Sequence, residues 1–290
     1  MDIGTFAIQL LNAVQYGLVL FLVASGLTLV FGILGVINLA HGAFYMLGAY
    51  LAWWFTVASG SLVVGLLGAS AVSFVVGLLL EAFFIRRLYG RDHLSQVLLS
   101  FGLILVIDEV RQMLFGRDVQ SVPVPDWLSG SINLTDMQSY PLYRLALIVF
   151  CLILAMSIFL VINKTRIGMI IRAGAENRDM TRALGIPFDR VNRLVFAVGI
   201  ALAALAGAVI APVSTVFPGM GDSMLILSFV VVVLGGVGSV PGAAIGALMI
   251  GLIDTFGKVF LPEFSGMLIY VLMAAVLLWQ PTGILGKREI

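Results

Sequence analysis

The residues of this sequence that could perform chemistry do not form a catalytic set. The two histidines, His41 and His93, lie far apart, and no metalloprotease, serine-hydrolase or zinc-ligand spacing occurs. A near match to the nucleotide-binding P-loop starts at Gly251. It has one residue too many before its Gly-Lys pair, and Val259 stands where Ser or Thr must bind magnesium. The sequence therefore predicts no metal, nucleotide or other cofactor bound by this chain, and no enzyme activity.

Polar side chains also occur inside apolar stretches, where an unpaired polar group is costly. Asn12 and Gln15 lie in the first such stretch, and they are candidates for lining a translocation pathway. Asp108 and Arg111 are three residues apart in the fourth stretch, so a helical ion pair is the expected arrangement. Groups of this kind indicate a pathway or structural pairing.

Residues 168–187 form the third candidate, and their pattern is amphipathic. The apolar residues recur at helical spacing, and the rest of the surface is charged; the apolar stripe consists of Ala173, Met180, Ala183 and Leu184, and the charged residues are Arg172, Glu176, Arg178, Asp179 and Arg182. Because Gly185 and Pro187 stop a helix, the pattern predicts one helix over residues 172–185. Such a helix lies on lipid, packs on its own domain or docks into a partner's groove, and the lack of Trp and Phe favours the groove.

The elements that must position these residues are membrane helices. Of 290 residues, 61% are hydrophobic and only 11% are charged, and the mean hydropathy is +1.13. A soluble core of this size could not hide so much apolar surface, and the same composition excludes disorder. The single cysteine, Cys151, allows no intramolecular disulfide. The fold class expected is therefore an all-α integral membrane protein, because lipid-exposed backbone must satisfy its own hydrogen bonds.

Nine apolar stretches are candidates for crossing the membrane: 8–34, 39–57, 61–85, 94–115, 141–162, 194–216, 223–236, 243–261 and 267–280. The stretches 223–236 and 267–280 are short for a full span, which needs about 20 residues. We therefore expect eight or nine crossings in a single transmembrane domain over residues 1–290. Two stretches carry small residues every fourth position, from Gly65 to Gly77 and from Gly199 to Ala211, which is typical of close helix packing.

The distribution of charge predicts the orientation of the chain. Twelve of the 16 basic residues fall in three short segments: Arg86, Arg87 and Arg91; Lys164, Arg166, Arg172, Arg178, Arg182, Arg190 and Arg193; Lys287 and Arg288. By the positive-inside rule these segments, including the loop 164–193 and the C-terminus, are expected in the cytoplasm. The loop 116–140 and residues 1–7 are then outside. No Lys or Arg precedes residue 86, so no secretory signal is expected and the first helix is retained.

Two glycine-rich joints occupy similar positions in the two halves of the chain, at residues 35–42 and 236–242. Interrupted helices at matching positions are the best sequence indication of a transporter's pathway. The candidate pathway residues here are Asn38, His41, Gly42, Gly236 and Ser239. The alternative is that both joints are simple loops at the cytoplasmic boundary, with His41 and Asn38 as hydrogen-bonded structural residues.

Four motifs in order along the chain resemble one family. Residues 35–50 read GVINLAHGAFYMLGAY, residues 233–242 read VLGGVGSVPG, and residues 281–286 read PTGILG. The remaining motif lies between the first two of these, within residues 172–185, and is similar to the coupling helix of that family. Its residues are Arg172, Ala173, Glu176, Asn177, Met180, Ala183, Leu184 and Gly185. Together they are similar to the permease subunits of ATP-binding-cassette importers of the branched-chain amino-acid type. The likeness covers nearly the whole chain and is strongest to the first permease of the usual pair.

The resemblance implies a set of partners and a location. The permease would sit in the bacterial inner membrane with a second homologous permease, two ATPase subunits that bind ATP and magnesium, and a periplasmic solute-binding protein. It would form half of a pathway for branched-chain amino acids or a similar small amphipathic solute, and no nucleic-acid partner is expected. Ala43 departs from the family, whose members often have an acidic residue directly after His-Gly, so one obvious partner for an ammonium group is absent.

Three alternatives remain open at this point. An ion-coupled secondary transporter would act without an ATPase, but it usually needs intramembrane carboxylates, and this chain offers few. An intramembrane enzyme would need a nucleophile and base or a metal set. An importer of this type could also carry a different solute, such as an aromatic acid, an amide, urea or a short polyol.

Overall fold

The structure, a computed structural model, describes residues 3–135 and 138–286. Within these residues the chain folds into eleven α-helices: α1 (Ile3–Leu29), α2 (His41–Ser59), α3 (Leu62–Phe83), α4 (His93–Phe115), α5 (Leu142–Lys164), α6 (Arg166–Glu176), α7 (Arg178–Ala183), α8 (Phe188–Ile210), α9 (Met220–Gly235), α10 (Val240–Phe260) and α11 (Ser265–Trp279). A π-helical turn, Val30–Leu34, extends α1. The predicted all-α membrane fold class is confirmed.

Each of the nine predicted apolar stretches coincides with a helix. In the described part of the chain, six helical segments are long and apolar enough to cross a membrane: Ile3–Gly32, Leu62–Phe83, Leu142–Lys164, Phe188–Ile210, Val240–Phe260 and Pro262–Trp279. The last reaches 18 residues because a 3-10 turn, Pro262–Phe264, precedes α11. Helix α9 is apolar but has only 16 residues, as the short stretch predicted. The number of crossings therefore stays a prediction.

The centre of the bundle is built from helices that approach each other through glycine. A Cβ added at Gly207 of α8 would overlap the carbonyl of Tyr45 in α2, and one at Gly26 of α1 would overlap the carbonyl of Gly199 in α8. On α3, a Cβ at Gly77 would meet the backbone of Ala197 in α8. Both small-residue stripes predicted from the sequence thus pack helices together.

The prediction of one helix over residues 172–185 is wrong. The chain forms α6 and α7 instead, with Asn177 extended between them at φ −153° and ψ 104°. The side-chain oxygen of Asn177 accepts the Met180 N–H at 2.9 Å and so caps α7. Asn competes for backbone donors in this way and starts a new helix rather than continuing the old one. The predicted stop is confirmed, since α7 ends at Ala183 and Gly185 adopts φ +77°.

The loop predicted to lie outside contains no α-helix within its described residues, but it is not irregular. Strand β1 (Ser131–Thr135) pairs antiparallel with β2 (Gln138–Pro141), and a 3-10 turn occupies Asp126–Leu128. Gln120 also exchanges two 2.8 Å backbone hydrogen bonds with Val216, in the connection after α8.

Candidate functional site

The α6–α7 segment presents apolar side chains to its surroundings. Met180 is 63% exposed and Leu184 is 75% exposed, and Ala173 and Ala183 are exposed as well. These four residues are called the α6–α7 surface below. All four belong to the stripe predicted from the sequence, so the stripe faces outward and not toward the chain's own bundle. An exposed apolar patch of this kind indicates a contact with another molecule.

The opposite side of the same segment is fixed to the bundle. Ile171 and Thr181 are buried, and a Cβ at Gly174 would overlap the ring of Phe188, the first residue of α8. Arg172 donates a hydrogen bond to the carbonyl of Ile162 in α5. The segment is therefore an anchored support for the exposed surface.

The remaining residues of the predicted coupling set also lie at the exposed side. Glu176, Asn177 and Gly185 are exposed, and Asn177 has the capping role described above. The side chains of Arg178 and Asp179 lie outside the described part of the chain. The structure places all eight predicted coupling residues on or beside α6 and α7, and their coupling role stays a prediction.

Ion pairs join this segment to the membrane helices, and the sequence reasoning missed them. Asp189, in the first turn of α8, contacts Arg86 Nη2 at 2.6 Å and Arg182 Nη2 at 3.2 Å. Glu81, in the last turn of α3, is fully buried and contacts Arg193 Nε at 3.2 Å. Glu81 also accepts a hydrogen bond from the Tyr89 hydroxyl at 3.1 Å. The signal available in the sequence was one carboxylate inside the third apolar stretch, which must find a partner when buried.

The first break in the membrane helices, residues 35–40, buries polar side chains. Asn38 is 1% exposed; its Oδ1 accepts the Ala40 N–H at 3.1 Å, while its Nδ2 has no partner among the described residues. The Ile37 N–H donates to Gln96 Oε1 at 3.2 Å, which links the break to the start of α4. A buried amide donor without a partner is unusual in a stable core.

His41, the first residue of α2, is completely buried. Its Nε2 lies 2.9 Å from the carbonyl oxygen of Val23, so Nε2 carries the proton and donates, and Nδ1 has no partner among the described residues. Val23 is eleven residues before the end of the π-helical turn at Leu34, which is about 16 Å along a helix axis. The start of α2 therefore lies within the bundle and not at its end.

Gly42 brings the starts of two helices together. A Cβ at Gly42 would overlap the carbonyl of Gly221, in the first turn of α9, and one at Gly221 would overlap Gly42. The first turns of α2 and α9 thus touch through backbone alone. Contact this close explains why glycine stands at both positions.

The second break, residues 236–239, differs from the first because it lies at the surface. Gly236 and Gly238 have φ of +96° and +78°, Val237 is 51% exposed, and Ser239 accepts the Gly242 N–H at 3.1 Å to cap α10. The C-terminal motif, residues 281–286, covers the end of α9 that precedes this break. The Ile284 N–H donates to the carbonyl of Leu234 at 2.8 Å, and the Leu285 N–H donates to the carbonyl of Gly235 at 3.1 Å. Two of the sequence motifs therefore meet in one cap.

The predicted pathway residues fall into separate groups. Asn12 lies with Tyr140 and Arg144, since its Oδ1 is 3.1 Å from the Tyr140 hydroxyl and 3.0 Å from Arg144 Nη1. Gln15 Oε1 is 3.3 Å from the same hydroxyl, and burial raises the pKa of Tyr140 so that the phenol stays protonated. Asn12 is eleven residues from Val23 along α1, so this group is separate from His41.

Two further ion pairs lie on membrane helices. The predicted pair between Asp108 and Arg111 is confirmed at 2.8 Å, with Arg111 buried beneath the Tyr50 ring. Asp254 contacts Lys258 at 2.6 Å, one turn apart on α10, and the sequence reasoning did not identify this pair. Opposite charges at i and i+4 were the available signal. Among the described residues, no cluster of His, Cys, Asp or Glu could hold a metal ion.

The bundle, the buried break and the exposed α6–α7 surface together define the class of this protein. It is a polytopic α-helical membrane protein of the transport type, with a polar interruption inside the bundle and an exposed apolar segment at one end. The family described as "Branched-chain amino acid transport system / permease component" matches residues 9–277. The chain belongs to this family.

Curated relatives agree with the family over nearly the whole chain. The high-affinity branched-chain amino acid transport system permease protein BraD of Pseudomonas aeruginosa is 32% identical over 97% of this chain and 96% of its own length. LivH of Escherichia coli is 34% identical over 98% of this chain and 97% of its own. LivM of Escherichia coli is 26% identical, covering 90% of this chain and 66% of LivM. No solved structure matches. The resemblance to the first permease of a pair is confirmed.

Proposed function

We propose that the chain is the permease subunit of an ATP-driven importer and forms half of its translocation pathway. The observation that supports this most is the α6–α7 surface, where large apolar side chains are exposed on an anchored, ion-paired segment. A secondary transporter acting alone has no use for such a surface outside its membrane helices. An ATPase subunit that inserts this surface into a groove would cover it.

The ion pairs supply a route for energy coupling in this proposal. A movement of α7 would reach α8 and the 3-10 turn after α3 through Asp189, which contacts both Arg182 and Arg86. The ion pair between the buried Glu81 and the partly exposed Arg193 joins α3 to α8 a turn further along. Helix α8 in turn contacts Gly26, beside which His41 starts α2. Closure of two ATPases would thus be transmitted to the first break.

The orientation follows from the same residues. Basic side chains from separate parts of the sequence meet at one end of the bundle, at Arg86, Arg182, Arg190 and Arg193. We assign that end to the cytoplasm of the inner membrane by the positive-inside rule, with the C-terminus on the same side and the β1–β2 hairpin outside. Lys287 and Arg288, the third basic segment, lie outside the described residues.

The partners proposed are two ATPase subunits that bind ATP and magnesium, a solute-binding protein and a second permease. That LivH and LivM, two permease proteins of one organism, both match this chain supports a pair of unlike permeases. Helices α5 and α11, whose apolar side chains are largely exposed, are available for lipid and for that second permease. The substrate proposed is a branched-chain amino acid, because BraD and LivH belong to transport systems so named.

Co-purification with candidate ATPase subunits tests the proposal. The unmodified chain should retain an ATPase subunit, and the Leu184→Asp variant should lose it. The substitution removes an apolar contact worth about 1–3 kcal/mol and places a carboxylate in the proposed interface. Val119→Asp is the matched control: Val119 is 59% exposed on the loop assigned to the outside, and its substitution should leave the complex intact. An intact, fully coupled complex with Leu184→Asp would exclude a docking role for the surface.

The pathway assignment has its own test. Single cysteines at Asn38, His41 and Ser239, in a background with Cys151 replaced, should differ in their reaction with a small polar thiol reagent. We expect labelling at 38 and 41 to change with substrate and ATP, because these side chains are buried in the present state. Labelling at all three sites that is constant and comes only from the cytoplasm would leave the breaks as simple loops.

A further inference from the structure

A concave pocket of about 540 Å³ opens where the connection between α7 and α8 meets the segment after α3. Its lining combines four guanidinium groups with apolar residues; the charged lining residues are Arg86, Arg182, Arg190, Arg193 and Asp189, and the apolar ones include Ile186, Pro187 and Phe188. The pocket is separate in character from the α6–α7 surface, which is apolar. Its chemistry is that of a site for an anion.

The carboxylates at the pocket do not neutralise its arginines. Asp189 contacts Arg86 and Arg182, and Glu81 contacts Arg193, so each of the two carboxylates is already engaged. Arg190 forms no ion pair with the described side chains, and its side chain is exposed. Among the described side chains, these four guanidinium groups face two carboxylates, which leaves an excess of two positive charges at the pocket. Guanidinium groups present paired N–H donors that match the oxygens of a phosphate group.

The pocket lies beside the ends of two apolar helices, α3 and α8, where a lipid headgroup is expected. Glu81 is in the last turn of the membrane-spanning α3, and Arg193 is in the second turn of α8. Phe83 and Phe84, next to Glu81 in the chain, are 56% and 46% exposed. Aromatic side chains collect at the interface between lipid and water, and basic pockets between membrane helices bind anionic headgroups.

We propose that this pocket binds the phosphate group of an anionic phospholipid. The bound phosphate would accept hydrogen bonds from Arg190 and from the exposed edges of Arg86 and Arg182, which are about half exposed. It would thereby hold α7, α8 and the 3-10 turn after α3, Ile85–Leu88, together, since these three elements supply the arginines. The lipid composition around the protein would then tune how firmly the α6–α7 segment is attached to the bundle.

Native mass spectrometry of the purified full chain with defined lipids tests the proposal. One phosphatidylglycerol should be retained preferentially over phosphatidylcholine, and Arg190→Gln should weaken its retention about tenfold, as loss of a charge-assisted contact predicts. Arg190→Lys, which keeps the charge, should restore part of the affinity. Arg117→Gln, an exposed arginine on the loop between α4 and β1, is the control and should change nothing.

Several outcomes would overturn the proposal. Equal retention of the two lipids would show that the headgroup charge is not read, and unchanged retention in Arg190→Gln would place the lipid elsewhere. Displacement of phosphatidylglycerol by millimolar inorganic phosphate would identify free phosphate as the ligand, and displacement by ATPase subunits would assign the pocket to a protein contact. If Arg190→Gln does not fold, stabilisation of the unmodified chain against heat decides: phosphatidylglycerol should raise the melting temperature and phosphatidylcholine should not.

Discussion

The α6–α7 surface and the first break are opposite in construction. On the α6–α7 surface the backbone is capped by Thr165 and Asn177, and the apolar side chains of Met180 and Leu184 are exposed. In the first break the polar side chains of Asn38 and His41 are buried, and each keeps one polar atom without a partner among the described residues. An exposed apolar group is buried by contact with another protein. A buried polar atom without a partner gains a hydrogen bond through a change of conformation, from water or from a solute.

The difference indicates that the α6–α7 surface and the first break have different roles. In the proposed importer, assembly with an ATPase would cover the exposed face of the α6–α7 segment, and transport would supply partners to the buried polar atoms of the first break. Ion pairs connect the α6–α7 segment to the bundle that contains the first break. They join the buried Glu81 to Arg193, and the exposed Asp189 to Arg86 and Arg182. Substitutions can therefore separate the regions, since those in the break should affect folding and those on the surface should affect assembly.

The largest effect is expected from Gly42→Val in the first turn of α2. The new side chain would overlap the carbonyl of Gly221, so we expect a loss of about 3 kcal/mol or more and little folded protein. Thermal unfolding in detergent, followed by tryptophan fluorescence, measures the loss. Gly102→Val in α4 is the matched control, because a Cβ at Gly102 meets nothing within 4 Å. Equal melting temperatures for the two variants would contradict the close contact of α2 and α9.

A smaller effect is expected where the two regions are connected. Glu81→Gln removes a fully buried charge and leaves Arg193 unpaired, and because that arginine is 38% exposed we expect a cost of about 1–3 kcal/mol. Arg86→Gln removes half of an exposed pair and should cost less than about 1 kcal/mol. Chemical unfolding of both variants and of the double variant gives the ranking. A larger cost for Arg86→Gln would place the main connection at Asp189 instead.

The smallest effect concerns the capping of α7. Asn177→Ala removes the acceptor for the Met180 N–H, which is worth about 1 kcal/mol, and should leave the fold unchanged. Hydrogen exchange should become faster at residues 178–183 only. Asn163→Ala is a suitable control, since Asn163 bonds the Phe159 carbonyl within α5 and caps nothing. Unchanged exchange in α7 would show that its docking side, and not its cap, determines its stability.

Much of this arrangement is visible in the sequence because the membrane leaves few choices. Apolar stretches must be helical in lipid, so all nine predicted stretches contain helices. The exposed stripe was predictable because the spacing of Met180 and Leu184 has a helical period and nothing in the stripe matches a lipid anchor. The predicted pair of Asp108 and Arg111 followed from local spacing alone.

What escaped prediction depends on contacts between distant residues or on competition within a single turn. Asn177 ends α6 because its side chain offers a backbone donor a better acceptor than helix continuation does, and spacing rules do not register this. His41 bonds Val23, and Gly42 touches Gly221, only because three helices meet there. The β1–β2 hairpin was missed because its strands have only five and four residues. The alternation of Ile132 and Leu134 with polar residues in β1 was the available signal, but β2 has no matching pattern.

The proposed docking of the α6–α7 surface into an ATPase subunit requires that the ATPase cover Leu184. Site-specific photo-crosslinking in the assembled importer measures this contact directly. A photoreactive amino acid at position 184 should form an adduct with an ATPase subunit, and one at position 119 should not, because residue 184 is 75% exposed on the surface proposed for docking. Addition of ATP should change the yield at 184. An adduct at 184 with lipid or with the chain's own helices, and none with an ATPase, would contradict docking of the α6–α7 surface into an ATPase subunit.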